Sequence, residues 1–212
     1  MMWLYLDDSG KWAWNPRSTP SLGFGGAIGS VSQWCQLLSE WRAILNPLDA
    51  VGIDTFHATE WRDKDLAFLS RLALRICKRV SPVGAVMPSI SLALAQGVAL
   101  GDASQRLRAY DFAFEDCLSI AAQRAHAVGD ALHVILARND EYKQRAFDLF
   151  REFKKRRPEG AALRGFIGDV TAKDLEQLQV ADFIAWILNL PSVDPDDPKA
   201  YPSWCYEAQD AC

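Results

Sequence analysis

Two acidic motifs stand near opposite ends of this sequence, both where carboxylates are rarely placed without a partner. Trp3-Leu4-Tyr5-Leu6-Asp7-Asp8-Ser9-Gly10 is an apolar run that leads straight into two aspartates. Gln177-Leu178-Gln179-Val180-Ala181-Asp182-Phe183 puts a Gln-x-x-Asp step inside an otherwise apolar helical stretch. Asp182 has Leu178, Ala181, Ala185 and Trp186 around it on a helix, so it lies on no evident polar stripe. Gln179, three residues earlier, shares its face. A carboxylate in that setting needs hydrogen-bond donors or a cation to stay charged, and a structural pair with an arginine or the backbone is the alternative. Asp7 and Asp8 point to opposite faces of a regular strand, so only one can aim at a given site, and Asp7 is the better placed. The plain structural role of Asp7-Asp8-Ser9-Gly10 is a turn.

Hard divalent ions prefer carboxylate oxygens and water to sulfur or imidazole. Asp7 and Asp182, with one or two further acids, therefore predict a Mg²⁺ or Mn²⁺ site with positions left for phosphate oxygens. Such a site suits hydrolysis of a phosphodiester by activated water. Asp140, just past a strand end, and Asp169, at the end of the next strand, are the candidate extra ligands. Asp140 is equally suited to cap a helix, and Asp169 to be a loop acid. His57 and Glu60 form an H-x-x-E step that one helical turn would place on one face, able to hydrogen-bond or to ligate. His126 and His133 flank a helix-to-strand turn and are assigned no chemistry. Trp12 and Trp14, after Asp8, have rings that can stack on a base or sugar, or simply pack. The sequence holds no G-x-S-x-G elbow, phosphate-binding G-x-x-x-x-G-K-[ST] loop or H-E-x-x-H motif. Gly23-Phe24-Gly25-Gly26 lacks dinucleotide-fingerprint spacing and reads as sheet packing.

The elements that must position these residues follow from periodicity. Residues 2–7 form a continuous apolar strand, as expected for burial on both sheet faces. Leu22 to Val31 is a glycine-rich strand, whose glycines allow close approach by a neighbour or ligand. Trp34, Leu37, Leu38, Trp41 and Leu45 predict a helix from Ser32 that ends before Pro47. Ile53 to Ala58 reads as short and extended. A helix over about 62–79, a strand over 82–90 and a long helix over 102–127 follow. Then come a strand over 132–137, a helix over 140–157 and a strand over 163–170. Asp174 with Gln177 resembles a capping box opening the last helix. The order predicts a single α/β domain over 1–190 with a mixed central sheet flanked by helices, and an irregular tail over 191–212.

The chain has 212 residues, half of them hydrophobic and 24% charged, so a substantial core is expected. A net charge of −4 gives no general pull toward nucleic acid, so any polyanion site must be local. The candidate ground is Arg151-Glu152-Phe153-Lys154-Lys155-Arg156-Arg157, with smaller clusters at Lys78-Arg79 and Arg106-Leu107-Arg108, all of which also suit a solvated helix end. Five scattered cysteines, none in C-x-x-C, read as reduced thiols of a cytoplasmic protein. No signal peptide or run of membrane-spanning length is visible, so no membrane association is expected.

Taken together, Leu6-Asp7-Asp8-Ser9-Gly10 and Leu178-Gln179-Val180-Ala181-Asp182 resemble the D-E-S-G and L-Q-x-A-D motifs of a large, mostly bacterial family catalogued as domain of unknown function 3800. The glycine-rich second strand, the Phe56-His57-Ala58-x-Glu60 step and Asn139-Asp140-Glu141-Tyr142 after a strand extend the likeness over roughly 2–190. That family is similar in outline to ribonuclease H-like nucleases, where an acid on the first strand meets an acid on the last helix. The resemblance implies a ribonuclease H-like fold and Mg²⁺- or Mn²⁺-dependent phosphodiester chemistry on DNA or RNA. In that scheme Asp7 and Asp182 hold metal, Asp140 or Asp8 assists, Gln179 orients a ligand or water, and His57 with Glu60 supports the cleft or proton transfer. Two departures stand out. Asp8 replaces the usual Glu, and Ala137-Arg138 stands where many relatives have an acid, leaving Asp140 as substitute or the site incomplete. The alternatives are a non-catalytic binding or regulatory module of the same fold in a defence or mobile-element system, and a hydrolase with paired carboxylates as acid and base.

Overall fold

The computed structural model describes residues 1–9, 21–49, 55–58, 66–88 and 103–188. The apolar run behind Asp7 becomes strand β1 (Met2–Ser9), the centre of a five-stranded sheet. β2 (Ser21–Ser30) pairs antiparallel with β1, and β3 (Ser81–Pro88) antiparallel with β2. β4 (Leu132–Ala137) lies parallel to β1 on its other side, and β5 (Leu163–Val170) parallel to β4. The order is β3-β2-β1-β4-β5. Five helices flank the sheet among the described residues: α1 (Val31–Asp49), α2 (Leu66–Arg79), α3 (Ala103–Ala127), α4 (Lys143–Arg156) and α5 (Glu176–Leu188). This is the mixed α/β domain expected, a five-stranded sheet of parallel and antiparallel pairs flanked by helices.

Alternation along β1 divides the core in two. Leu4 and Leu6 pack with Tyr110 and Phe114 of α3 and Phe150 of α4. Tyr5 packs on the other face with Trp34 and Trp41 of α1, Leu69 of α2 and Phe183 of α5. A central strand covered by helices on both faces must be apolar throughout, which is why β1 shows no polar residue before Asp7.

The glycines of β2 set how closely α5 lies on the sheet. A Cβ at Gly25 would stand 2.2 Å from the backbone nitrogen of Ala185, and Gly25 is the β2 partner of Asp7. Gly84, the β3 partner of Gly25, has its own Cβ position filled by the Leu188 side chain. Helix α5 thus rests on bare backbone one turn after Asp182.

Several local expectations change. Helix α1 continues to Asp49 rather than stopping before Pro47, since a proline in the last turn forfeits a single backbone hydrogen bond. Residues 55–58 join no strand of the sheet. Asp174 forms no capping box with Gln177: its carboxylate accepts from the Thr171 N–H at 3.2 Å and hydroxyl at 2.6 Å, closing the turn before α5. Cys77 is disulfide-bonded, so the expectation of reduced thiols holds only for Cys35 and Cys117 among the described cysteines.

Candidate functional site

Asp7 follows Trp3 and Tyr5 in the α5-facing row of β1. It is half-buried, and its Oδ1 accepts the Asp8 N–H at 2.9 Å. Burial pushes its carboxyl well above the ordinary carboxylate range. The Asp182 charge pushes it further, and Asp8 less so, against the one backbone hydrogen bond that lowers it. The structure therefore brings the first-strand acid and the last-helix acid into one electrostatic neighbourhood.

Asp182 is held by a segment from elsewhere in the chain. Its Oδ2 accepts the Ala58 N–H at 3.0 Å, and its side chain is 23% exposed. One turn earlier, Gln179 is buried, its Oε1 accepting the Phe56 N–H at 3.2 Å while its Nε2 donates to the Ala172 carbonyl at 3.3 Å. Both ends of the Gln179 amide are thus hydrogen-bonded to backbone, which holds the segment that carries Phe56 against α5. Phe56, packed against Trp41 and Phe183, anchors the segment in the core. Between the two anchors stands His57, exposed, its Nδ1 3.9 Å from Asp182 Oδ2. Glu60, its expected companion, lies outside the described residues, as do Trp12, Trp14 and the tail over 191–212.

Asp8 faces the other side of the sheet, as alternation requires. Asn139, two residues past the end of β4, donates from Nδ2 to both Asp8 oxygens at 3.1 and 3.0 Å. Its own Oδ1 accepts the N–H groups of Glu141 and Tyr142 at 3.0 and 3.2 Å, closing the turn into α4. Burial raises the Asp8 carboxyl above its usual range, and the Asn139 hydrogen bonds oppose that shift. Tyr110 of α3, whose hydroxyl is pushed up by burial and next by the Asp8 charge, lies on this same side. Asn139 enters the sequence reading only as part of Asn139-Asp140-Glu141-Tyr142, with no role of its own. The available signal was its place at a strand end beside the candidate acid Asp140.

The structure does not bring Asp140 or Asp169 to the pair. Arg138 reaches Asp140 at 3.0 and 3.4 Å and lies 3.7 Å from Asp169. Lys143 also pairs with Asp169, holding that carboxyl below its ordinary value. Asp140 leaves the helix start to Asn139 and is mostly exposed. Ala137, at the strand end itself, is buried. Among the described residues no group of three or more His, Cys, Asp or Glu is arranged to hold a metal ion. A groove of about 400 Å³ between α3 and α4, lined in part by Asp111, Glu115, Arg145 and Arg156, contains none of the candidate metal-site residues. No described helix is long and apolar enough to cross a membrane.

No protein-family model matches the sequence, and no curated protein matches it. Among solved structures, a chain in the structure of the PCNA:RNase HII complex from Archaeoglobus fulgidus is similar in layout. It has a TM-score of 0.46 and 13% identity over 99% of this chain and 87% of that one.

Proposed function

We propose that this protein is a Mg²⁺- or Mn²⁺-dependent phosphodiesterase acting on nucleic acid, with Asp7 and Asp182 as its metal-holding carboxylates. The observation that carries this reading is the convergence of those two acids, with Asp7 pushed toward protonation by burial and by Asp182. The donor set fits a hard divalent ion: two half-buried carboxylates leave most of the coordination shell to water and substrate phosphate, as Mg²⁺ commonly has it. When bound, such an ion supplies charge neutralisation and an activated water. The chain's own residues do the rest. Ala58 N–H fixes the Asp182 carboxylate, and Gln179 fixes the segment that carries that N–H. His57, beside Asp182 and open to solvent, is placed to pass a proton between the reacting phosphate and bulk water. Asp8, clamped by Asn139, positions the end of β1 and holds no metal in this scheme. The family resemblance in the two motifs is part of the same proposal.

Calorimetric titration with Mn²⁺ tests it without knowledge of the substrate. Wild type should show saturable binding that Asp7→Asn/Asp182→Asn protein lacks. Labelled DNA and RNA should be cleaved with Mn²⁺, and the double substitution should lower the rate by more than about 100-fold. Cleavage that persists in a chelator would remove the metal from the mechanism.

One observation favours the non-catalytic module instead: a cation, Arg138, occupies the end of β4 and draws Asp140 and Asp169 to itself. A folded protein that binds neither Mn²⁺ nor Mn²⁺ with oligonucleotide would select that reading.

A further inference from the structure

Helix α4 is buried along Ala146, Leu149, Phe150 and Phe153 and turns a different set of residues outward. Phe147, Arg151 and Lys155 recur every fourth position and so form one row, with Lys154 beside it. Phe147 is 40% exposed, and the Arg151 guanidinium lies 5.6 Å from its ring centroid. Arg157 follows the helix, and Arg164, exposed at the start of β5, donates to the Ala161 carbonyl. Arg156 is neutralised by Glu115 and Glu152. Arg151, Lys154, Lys155, Arg157 and Arg164 have no carboxylate in ion-pair range among the described residues. Elsewhere Arg42, Arg75, Arg79, Arg138, Lys143 and Arg145 are each paired with an acid, while Arg71 and Lys78 of α2, Arg124 of α3 and Lys173 before α5 have no acid in ion-pair range among the described residues either. On a chain of net charge −4, the largest group of such cations thus lies along α4 and at the start of β5.

The helix dipole accounts for cations at a C-terminus, and the Phe147 ring packs in part on Phe166 of β5 at 6.2 Å between centroids, but neither accounts for the exposed part of that ring lying among the cations. A ring flanked by cations is what single-stranded nucleic acid uses, since bases stack on the ring and phosphates meet the charges. The row from Phe147 to Lys155 rises about 12 Å. Its near end starts just after the Asn139–Tyr142 turn, at the end of the sheet where β1 brings Asp7 and Asp8, and its far end meets the start of β5. We propose that Phe147, Arg151, Lys154 and Lys155, with Arg157 and Arg164 at the foot, form a docking surface for single-stranded nucleic acid, separate from the acid pair. This deepens the phosphodiesterase reading, on which it rests, by naming a single strand as the form of substrate held.

The test is fluorescence anisotropy with labelled oligo(dT), oligo(U) and a duplex. It uses Asp7→Asn/Asp182→Asn protein in a chelator, so that nothing is cut. Single strands should bind, with log K falling by about 0.7 per neutralised phosphate for each unit of log salt. Lys154→Gln/Lys155→Gln/Arg157→Gln should lower that slope by about 2, and Phe147→Ala should weaken binding by about 5-fold or more. All four positions are exposed, and unchanged melting temperatures confirm that the fold is kept. Absent single-strand binding at low salt, an unchanged slope in the triple variant, duplex preference indifferent to Phe147, or preference for anionic lipid vesicles would each overturn the surface. Patch variants that bind normally, beside a wild-type chain that binds Mn²⁺ and cleaves, would overturn the surface alone and leave the metal site standing.

Discussion

A carboxyl whose pKa is raised on folding is most comfortable when protonated, and its contribution to stability follows the sign of that shift. Asp7 binds its proton more tightly folded than unfolded, because of burial first and Asp182 second. Its favourable contribution is complete below the ordinary carboxylate range and is lost as pH rises through the raised folded value. Asp7→Asn keeps an oxygen for the Asp8 N–H and removes the charge. The variant should therefore melt above wild type at neutral pH, by about 2–4 °C for each kcal/mol relieved, and the difference should vanish in acid. Asp8, raised in the same sense, remains in both proteins and largely cancels in the comparison. Melting curves from pH 3 to 8 check this; a variant less stable than wild type at neutral pH would show that Asp7 is already compensated. Asp7 and Asp182 were legible in the sequence because an acid breaks an apolar pattern visibly. The holding role of Gln179 was not, since its partners are the backbone groups of Phe56 and Ala172, and backbone partners leave no mark in residue type. The hold of Asn139 on Asp8 was hidden for a related reason: an asparagine after a strand already has a sufficient explanation as a turn residue.

Elements were easier to read than contacts because hydrophobic period reports burial directly. The apolar runs of β1 and β4 announced the centre of the sheet, and the alternation of strands and helices announced its mixed character. The starts of α4 and α5 were less legible. Asp140 and Asp174 are both good capping residue types, and only the path of the chain shows one turned to Arg138 and the other to Thr171. The glycines of β2 carried a real signal, and the structure gives it a partner in α5. Gly25 is opposite Asp7 and lies under Ala185, so its missing side chain sets the separation between the two acids. Gly25→Ala places a methyl where backbone already stands, and neither partner is a flexible side chain that can swing away. It should cost about 1–3 kcal/mol or more by overpacking. It should also weaken Mn²⁺ binding by moving Asp182 off Asp7, even though no ligand is changed. A folded Gly25→Ala protein with wild-type Mn²⁺ affinity would show that α5 can shift without separating the acids.

At the scale of the molecule, the two candidate ligands belong to the first strand and the last helix, with nearly every described element between them in sequence. The unfolded chain has no such site, so an ion held by both acids binds the folded state alone and must stabilise it. At an Mn²⁺ concentration of 100 times the dissociation constant the gain is about 2.7 kcal/mol, or roughly 5–10 °C in melting temperature for a domain of this size. Asp7→Asn and Asp182→Asn should each abolish this rise, whereas a substitution at Asp140, engaged by Arg138, should leave it intact. The direction also separates the two effects of Asp7. Without metal its ionised carboxyl lowers stability, and with metal the same charge raises it. Wild type should therefore cross from below to above the Asp7→Asn variant in melting temperature as Mn²⁺ is added at neutral pH. Parallel curves with no crossing would mean that the pair gathers no cation, and the convergence of the two acids would then be a feature of the fold alone.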